Sequence, residues 1–355
     1  MPFTSLGLAP ALAQSAAERG FTAPTPIQFE ALPIVLSGAD LLATAQTGSG
    51  KTAAFALPLL QKWLENPPAS GSRSLQTLVM VPTRELAAQV GEVFRSLAEP
   101  LKQRPKIVVA FGGVSINPQM MSLRGGADIV VATPGRLLDL IDNNALKLDG
   151  VKRLVLDEAD RLLDLGFADE LGRLLAQLPA QRQTLFFSAT FAPAVEALAT
   201  QMLRDPQRVD APAVATDAAV IEQRVFEVDD KRRAQLLRQL IKDHSWERVL
   251  VFVGSQYAAE HLAAKLHKGD VFATSFHGGL SQGARKQTLQ EFKEKRWDVL
   301  VTTDLAARGI HINQLPVVVN FDLPRSATDY THRIGRTGRA GESGQIGRAS
   351  CRERV

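Results

Sequence analysis

Cysteine is almost missing from this chain. Cys351 is the only one in 355 residues, which excludes a disulfide framework and any cysteine-built zinc site. Aromatic side chains are scarce, at 6%, so few rings are available to stack on a planar ligand. No stretch reaches the roughly 18 uninterrupted apolar residues of a membrane span. Nor does either charge dominate: 41 Lys and Arg against 37 Asp and Glu give a formal +4 and a pI near 9.3. That balance permits a nucleic-acid partner without implying one. The first residues contain Ala11-Leu12-Ala13-Gln14, which looks like a signal cleavage site but has neither a basic leader nor a continuous apolar core before it. The segment reads as an ordinary helix and the protein as cytoplasmic. With 45% hydrophobic and 22% charged residues, the composition is that of a folded globular protein, long enough for two ordinary cores or one large one.

What is present begins with Ala45-Gln46-Thr47-Gly48-Ser49-Gly50-Lys51-Thr52. A glycine-rich turn entering a helix turns its backbone N–H groups toward phosphates, with the lysine on the β- and γ-oxygens and the hydroxyl on Mg²⁺. The strict pattern has glycine where this chain has Ala45. Farther along, the apolar run Arg153-Leu154-Val155-Leu156 delivers Asp157-Glu158-Ala159-Asp160 to the carboxyl end of an expected buried strand. A strand-end aspartate for Mg²⁺ beside an acid that orients water is the minimum equipment for nucleoside triphosphate hydrolysis. Either segment alone has a bland reading, a solvated turn or a solvated helix start. Together and in this order, each after a predicted strand, they point to nucleotide binding.

Apolar runs and helical stretches alternate along the whole chain. Strands are predicted at Leu41–Ala45, Leu75–Val81, Ile107–Phe111, Ile129–Ala132, Leu154–Asp157 and Gln183–Ser188, with helices such as Arg84–Leu97 and Gly135–Ile141 between them. Residues 211–220, within Asp210–Val220, lack periodicity and read as a linker. The alternation then resumes with Arg224–Val228, Val249–Val253, Val271–Ser275, Val299–Thr302 and Val317–Phe321. The expected fold is α/β: two tandem doubly wound parallel-sheet domains, residues 1–210 and 221–345, with ligands outside the strand carboxyl ends.

These segments, in this order, resemble the DEAD-box RNA helicases of superfamily 2 over residues 1 to about 345, and within them the bacterial RhlE-type subgroup. The two predicted domains are then RecA-like. Gly20 to Gln28 resembles the adenine-reading Q motif, with Gln28 pairing the base and Phe21 stacking on it. Phe3 matches an upstream aromatic of the same site and is equally readable as core. The resemblance assigns ATP and Mg²⁺ as cofactors, with the metal on Thr52 and Asp157. It implies Lys51 and Glu158 as catalytic residues and Asp160 as a cross-cleft bond. Ser188-Ala189-Thr190 resembles the coupling motif, and is also readable as a plain strand end with a helix cap. His332 to Arg339 resembles the arginine-finger motif, with His332 in a coupling role and Arg336 and Arg339 reaching the γ-phosphate when the domains close.

The RNA track implied by the same likeness comprises Pro82, Thr83, Arg84, Gly112, Gly113, Thr133, Pro134, Gly135 and Arg136 in the first half. In the second it comprises Gly254, Ser255, His277, Gly278, Gln282, Arg285, Thr302, Thr303 and Asp304. Helix-start amides, hydroxyls and arginines suit a sugar–phosphate backbone, so contacts with single-stranded RNA or short duplexes are expected to be independent of sequence. Protein partners of a ribonucleoprotein or degradosome kind are left open. An ATP-gated RNA clamp without productive unwinding uses the same motifs, and an inert truncation product is a third reading.

Two departures from the family pattern stand out. His311 occupies the place of an aspartate associated with the ATP ribose, which predicts weaker ATP affinity with the chemistry intact; a tolerated variant is the alternative. Residues 346–355, Ile346 to Val355, resemble translated adapter sequence rather than the family's apolar strand and helix. On that reading the second domain lacks its last strand and helix and is left with an uncovered sheet edge.

Overall fold

Four-residue apolar runs such as Thr77–Met80 and Val299–Thr302 are buried at every position, the pattern of strands covered on both faces. A computed structural model describes residues 3–45, 48–67, 73–210, 222–307, 315–324, 327–334, 336–337 and 345–350. Its contacts divide the chain into two units, Met1–Val214 and Ala215–Val355.

The first unit holds seven strands: β1 (Leu41–Thr44), β2 (Thr77–Met80), β3 (Ile107–Ala110), β4 (Ile129–Ala132), β5 (Arg153–Leu156), β6 (Gln183–Ser188) and β7 (Gln207–Asp210). They form one sheet in the order β3-β4-β2-β5-β6-β1-β7, and every pairing is parallel. Alternate side chains serve opposite cores. Val79, Val131, Val155, Leu185 and Phe187 join one, while Leu78, Met80, Val130, Leu154 and Phe186 join the other. The first core is closed by the helices Pro26–Ser37, Lys51–Glu65 and Arg84–Ala98. Phe55, at the centre of the second of these, packs against Phe187 and Phe94 at ring-centroid distances of 5.4 and 6.1 Å. Fully burying side chains of this size contributes about 1.5–3 kcal/mol each.

The second unit repeats the plan with β8 (Glu222–Glu227), β9 (Val249–Phe252), β10 (Ala273–Phe276), β11 (Val299–Thr302), β12 (Val317–Asn320) and β13 (Gln345–Ser350). The sheet order is β10-β11-β9-β12-β13-β8, again parallel throughout. Val249 and Val251 enter one core, Leu250 and Phe252 the other.

One expectation is corrected here. The segment read as foreign and unable to complete the sheet supplies β13, which lies between β12 and β8 with Ile346 opposite both Val318 and Gln223. Strand pairing is made by backbone amides, so a run of unfamiliar composition still completes the ladder. β12 is paired on both sides, with β9 and β13. Among the described residues, no helix is long and apolar enough to cross a membrane.

Candidate nucleotide and RNA sites

Because the first sheet is wholly parallel, the carboxyl ends of its strands share one edge. Six loops leave that edge, and the sheet order sorts them. Those after β5, β6 and β1, adjacent strands, carry Asp157-Glu158, Ala189-Thr190 and the phosphate turn. Those after β3, β4 and β2, also adjacent, carry Gly112-Gly113, Thr133 to Arg136 and Pro82 to Arg84. In this unit the phosphate- and metal-assigned loops and the RNA-assigned loops thus fall on two halves of one edge.

Gly48 and Gly50 both have left-handed backbone, φ +87° and +95°, and Gly50 caps the helix Lys51–Glu65. A Cβ on Gly50 would sit 2.5 Å from Gln28 Nε2 and 2.9 Å from Thr25 Oγ1. Glycine is required there both by backbone angle and by space. Gln28 itself is fully buried. Its Nε2 donates to the Gly50 carbonyl at 3.1 Å, and its Oε1 accepts the Thr25 N–H at 3.0 Å. The residue assigned to adenine therefore braces the phosphate turn, with one N–H and one lone pair of its carboxamide left over. Phe21 is half-buried against the first core, and Phe3 is inside it.

Lys51 and Asp157 are both buried, with Nζ 3.9 Å from Oδ1. That is too long for a hydrogen bond, and neither atom has a hydrogen-bond partner among the described residues. Burial pushes the Asp157 carboxyl up to about 6. Lys51 partly offsets this, and the neighbouring Glu158 and Asp160 charges add to it. Two opposite charges held 3.9 Å apart, with the facing atoms unbonded, fit a group that brings both anionic oxygens and a cation. Among the described residues, no cluster of three or more acidic, histidine or cysteine side chains exists to cage a metal. Mg²⁺ does not need one: a carboxylate, the Thr52 hydroxyl and phosphate oxygens suffice. The residues present fit Mg²⁺ with a nucleotide.

Glu158 opens the short helix Ala159–Asp164 from a left-handed position, φ 54° and ψ 54°. Its Oε2 accepts a hydrogen bond from Arg161 Nη1 at 2.5 Å. Asp160 is turned the other way. Its Oδ2 accepts from the Thr190 N–H at 3.1 Å and from Thr190 Oγ1 at 3.0 Å, and Ser188 Oγ donates to the Thr190 carbonyl at 2.6 Å. The loop after β6 is thereby tied to the acidic loop after β5.

On the other half of the edge, Thr83 caps the helix Arg84–Ala98 by accepting the Leu86 N–H at 3.3 Å. Arg84 lies against Gly113, whose hypothetical Cβ would be 2.7 Å from Nη1. Arg136 is buried and donates to the Val114 carbonyl at 2.7 Å. Arg136 therefore holds the loop that contains Gly112 and Gly113, and Arg84 lies beside it. Pro134 starts the helix Pro134–Asp142, and Gly135 faces open space.

In the second unit, Ser255 caps the helix Gln256–His267 by accepting the Ala258 N–H at 3.1 Å. The Gly254 N–H donates to Asp322 Oδ2 at 2.7 Å. His277 is buried with Nε2 3.1 Å from Glu260 Oε1, and Gly278 lies near Gln256. Gln282 begins a helix capped by Ser281, and Arg285 on it is buried over the Phe276 ring at 4.7 Å. Thr302 is buried, and Thr303 Oγ1 accepts the Ala306 N–H at 3.4 Å. Asp304 is committed within its own unit: it grips Arg333 through both oxygens at 2.5 and 2.6 Å. Arg333 also donates to Asn320 Oδ1 and the Asp322 carbonyl. Arg336 is buried, its N–H donating to the Arg333 carbonyl and its own carbonyl accepting from Leu315. Gln46, Thr47, His311, Arg339 and the His332 side chain lie outside the described residues.

Sequence reasoning assigned no role to Arg161 or Arg333. The i, i+3 spacing of Glu158 and Arg161 was a usable signal. The Arg333–Asp304 pair is created only by the fold.

Two tandem RecA-like parallel-sheet units, the first with a phosphate turn beside a buried lysine and aspartate, define a nucleotide-dependent enzyme of the helicase type. Sequence profiles agree: that of the DEAD/DEAH box helicases matches residues 25–198, and that of the helicase conserved C-terminal domain matches residues 232–341. The chain is 42% identical over 336 residues to RNA helicase CrhR of Synechocystis, covering 94% of this chain and 67% of that protein. It is 40% identical over 335 residues to the ATP-dependent RNA helicase CshA of Listeria monocytogenes, covering 94% and 63%. Among solved structures, Saccharomyces cerevisiae Dbp5 bound to RNA and ADP BeF3 matches with a TM-score of 0.84 at 31% identity, over 99% of this chain and 90% of that one. The chain belongs to the DEAD-box RNA helicase family, and it spans 67% and 63% of the lengths of these two bacterial relatives.

Proposed function

We propose that this chain is an RNA-dependent ATPase that uses ATP binding and hydrolysis to separate short RNA duplexes or remodel ribonucleoproteins without regard to sequence. The observation that carries the reading is the buried Lys51–Asp157 ion pair beside Glu158, whose facing Nζ and Oδ1 atoms make no hydrogen bond among the described residues, on the same sheet edge as the loops of Arg84 and Arg136. Thr52 and Asp157 would hold Mg²⁺, which supplies charge neutralisation for the β- and γ-phosphates. Lys51 and the phosphate turn bind and orient the triphosphate, and Glu158 orients the attacking water. Gln28 and Phe21 would meet the adenine, and Arg336 and Arg339 the γ-phosphate. Asp160, Ser188, Thr190 and His332 would couple the chemistry to RNA bound along the loops named above. From the motif resemblance we infer the bacterial RhlE type; identity alone does not separate it, being 42% to a cyanobacterial helicase and 41% to a fungal one.

The test is ATP hydrolysis by residues 1–355 with and without single-stranded RNA, beside Glu158→Gln. RNA stimulation that falls on the order of a hundredfold or more in the variant supports the reading; hydrolysis indifferent to RNA overturns it. His311 in place of an acidic residue is proposed to weaken ATP binding. His311→Asp should then lower the KM for ATP at unchanged kcat, and an unaltered KM removes that part.

A further inference from the structure

The acidic loop after β5 presents three carboxylates in four residues, and each has its own partner. Asp157 lies beside Lys51, and Asp160 is held by Thr190. Glu158 is held by Arg161, three residues along the same short helix. The first two pairings follow from the roles already assigned. The third has no role in that scheme, although it is the shortest of the three and both side chains are buried, 8% and 5% exposed.

From this geometry we propose that Arg161 is a positioning residue for the hydrolysis step: by bonding Oε2 it sets the orientation in which the Glu158 carboxylate meets the attacking water. This rests on the ATPase reading above. Glu158 opens the helix from a left-handed backbone position, and Arg161 lies three residues on, within reach of its carboxylate. A carboxylate free to rotate presents either oxygen in any direction. With Oε2 bound at 2.5 Å, rotation of the carboxylate is restrained, and an orienting base is effective only when its geometry is fixed. Asp160 contributes to the same fixation: its Oδ1 accepts the Arg161 N–H at 3.0 Å while its Oδ2 is on Thr190. Arg161 is itself buried, so its guanidinium has little freedom to leave Glu158 for solvent.

A purely structural role makes a different forecast. If Arg161 only neutralises a buried acid, its removal lowers stability and leaves the folded fraction catalytically normal. The two are separated by single-turnover hydrolysis of ATP in the presence of Mg²⁺ and single-stranded RNA, with ATP affinity and melting temperature measured on the same samples. Arg161→Gln is expected to lower the hydrolysis rate by about ten- to a hundredfold and to leave the ATP affinity within about twofold, the signature of an interaction that acts in the transition state. In a Glu158→Gln background the same change is expected to cost less than about threefold, because there is no carboxylate left to position. Arg161→Lys, which keeps the charge and loses the planar fork, is expected to fold like the parent and to fall between the two. It carries the test should the glutamine variant be unstable.

A folded Arg161→Lys or Arg161→Gln with a parental hydrolysis rate overturns the proposal. So does a loss that adds in full to that of Glu158→Gln. If the parent chain itself shows no RNA-stimulated hydrolysis, it is the functional reading that fails, and the two failures are told apart by that control.

Discussion

At the residue scale, the nucleotide end of the first sheet is a place where side chains are held against their preferences. Asp157 is the clearest case, since its burial beside other acids outweighs the attraction of Lys51 and moves its carboxyl to about 6. An acid whose folded pKa lies above its unfolded value of 3.8 lends the fold stability that is complete below that unfolded value and is lost as pH rises through about 6. At pH 8 the ionised group is therefore a cost, on the order of 1–3 kcal/mol. Asp157→Asn should raise the melting temperature of the nucleotide-free protein at pH 8, and the gain should shrink toward nothing as the pH is lowered to about 4. The same variant should lose the stabilisation given by Mg²⁺ with ATP. Equal melting curves across that range would contradict this account of the site. At Gly50 the constraint is steric. Gly50→Ala must adopt φ +95° and push its methyl into the Gln28 carboxamide, a strain of about 1–3 kcal/mol, and binding of a fluorescent ATP analogue should be abolished.

At the element scale, helices are fixed to sheets by contacts that composition conceals. The helix Arg84–Ala98 contains Gly91, which intrinsic propensity marks as a defect of about 1 kcal/mol relative to alanine. Yet a Cβ there would be 2.3 Å from Val109 Cγ2 on β3. Overpacking of this kind costs about 1–3 kcal/mol, so the contact wins. Gly91→Ala is expected to destabilise the first unit in a denaturant titration, and adding Val109→Ala should recover most of the loss. In the second unit, Arg333 ties the helix Ala327–Ile334 to the ends of β11 and β12 through Asp304, Asn320 and Asp322, with its guanidinium 4.9 Å from the Phe252 ring centre. Arg333→Ala leaves Asp304 and Asn320 without that partner. It should cost about 3 kcal/mol, read as a lower midpoint for the second unit alone.

At the scale of the whole molecule, each unit carries its own pair of cores on the two faces of its own sheet. Urea unfolding is therefore expected to resolve two transitions. Asp157→Asn and Gly91→Ala should move one of them and Arg333→Ala the other. A single transition shifted by all three would show that the units unfold as one.

The sequence by itself determined the alternation of strands and helices, because a strand buried on both faces must be apolar throughout and a phosphate turn must be glycine-rich. It placed the motifs at strand ends for the same reason. Boundaries moved by a residue or two, as where Leu75–Val81 narrowed to Thr77–Met80 and Val271–Ser275 shifted to Ala273–Phe276, since apolar patterning does not mark where a ladder stops. The sequence did not reveal β7 or β13, whose membership rests on backbone pairing with strands far away in the chain. Only the tertiary structure decided how the acidic loop's charges are shared out. Lys51 reaches Asp157 because β1 and β5 flank β6 in one parallel sheet. Asp304 turns to Arg333 because two elements distant in sequence end side by side. Which charge meets which is fixed by distance in space, and that distance exists only after the sheet has formed.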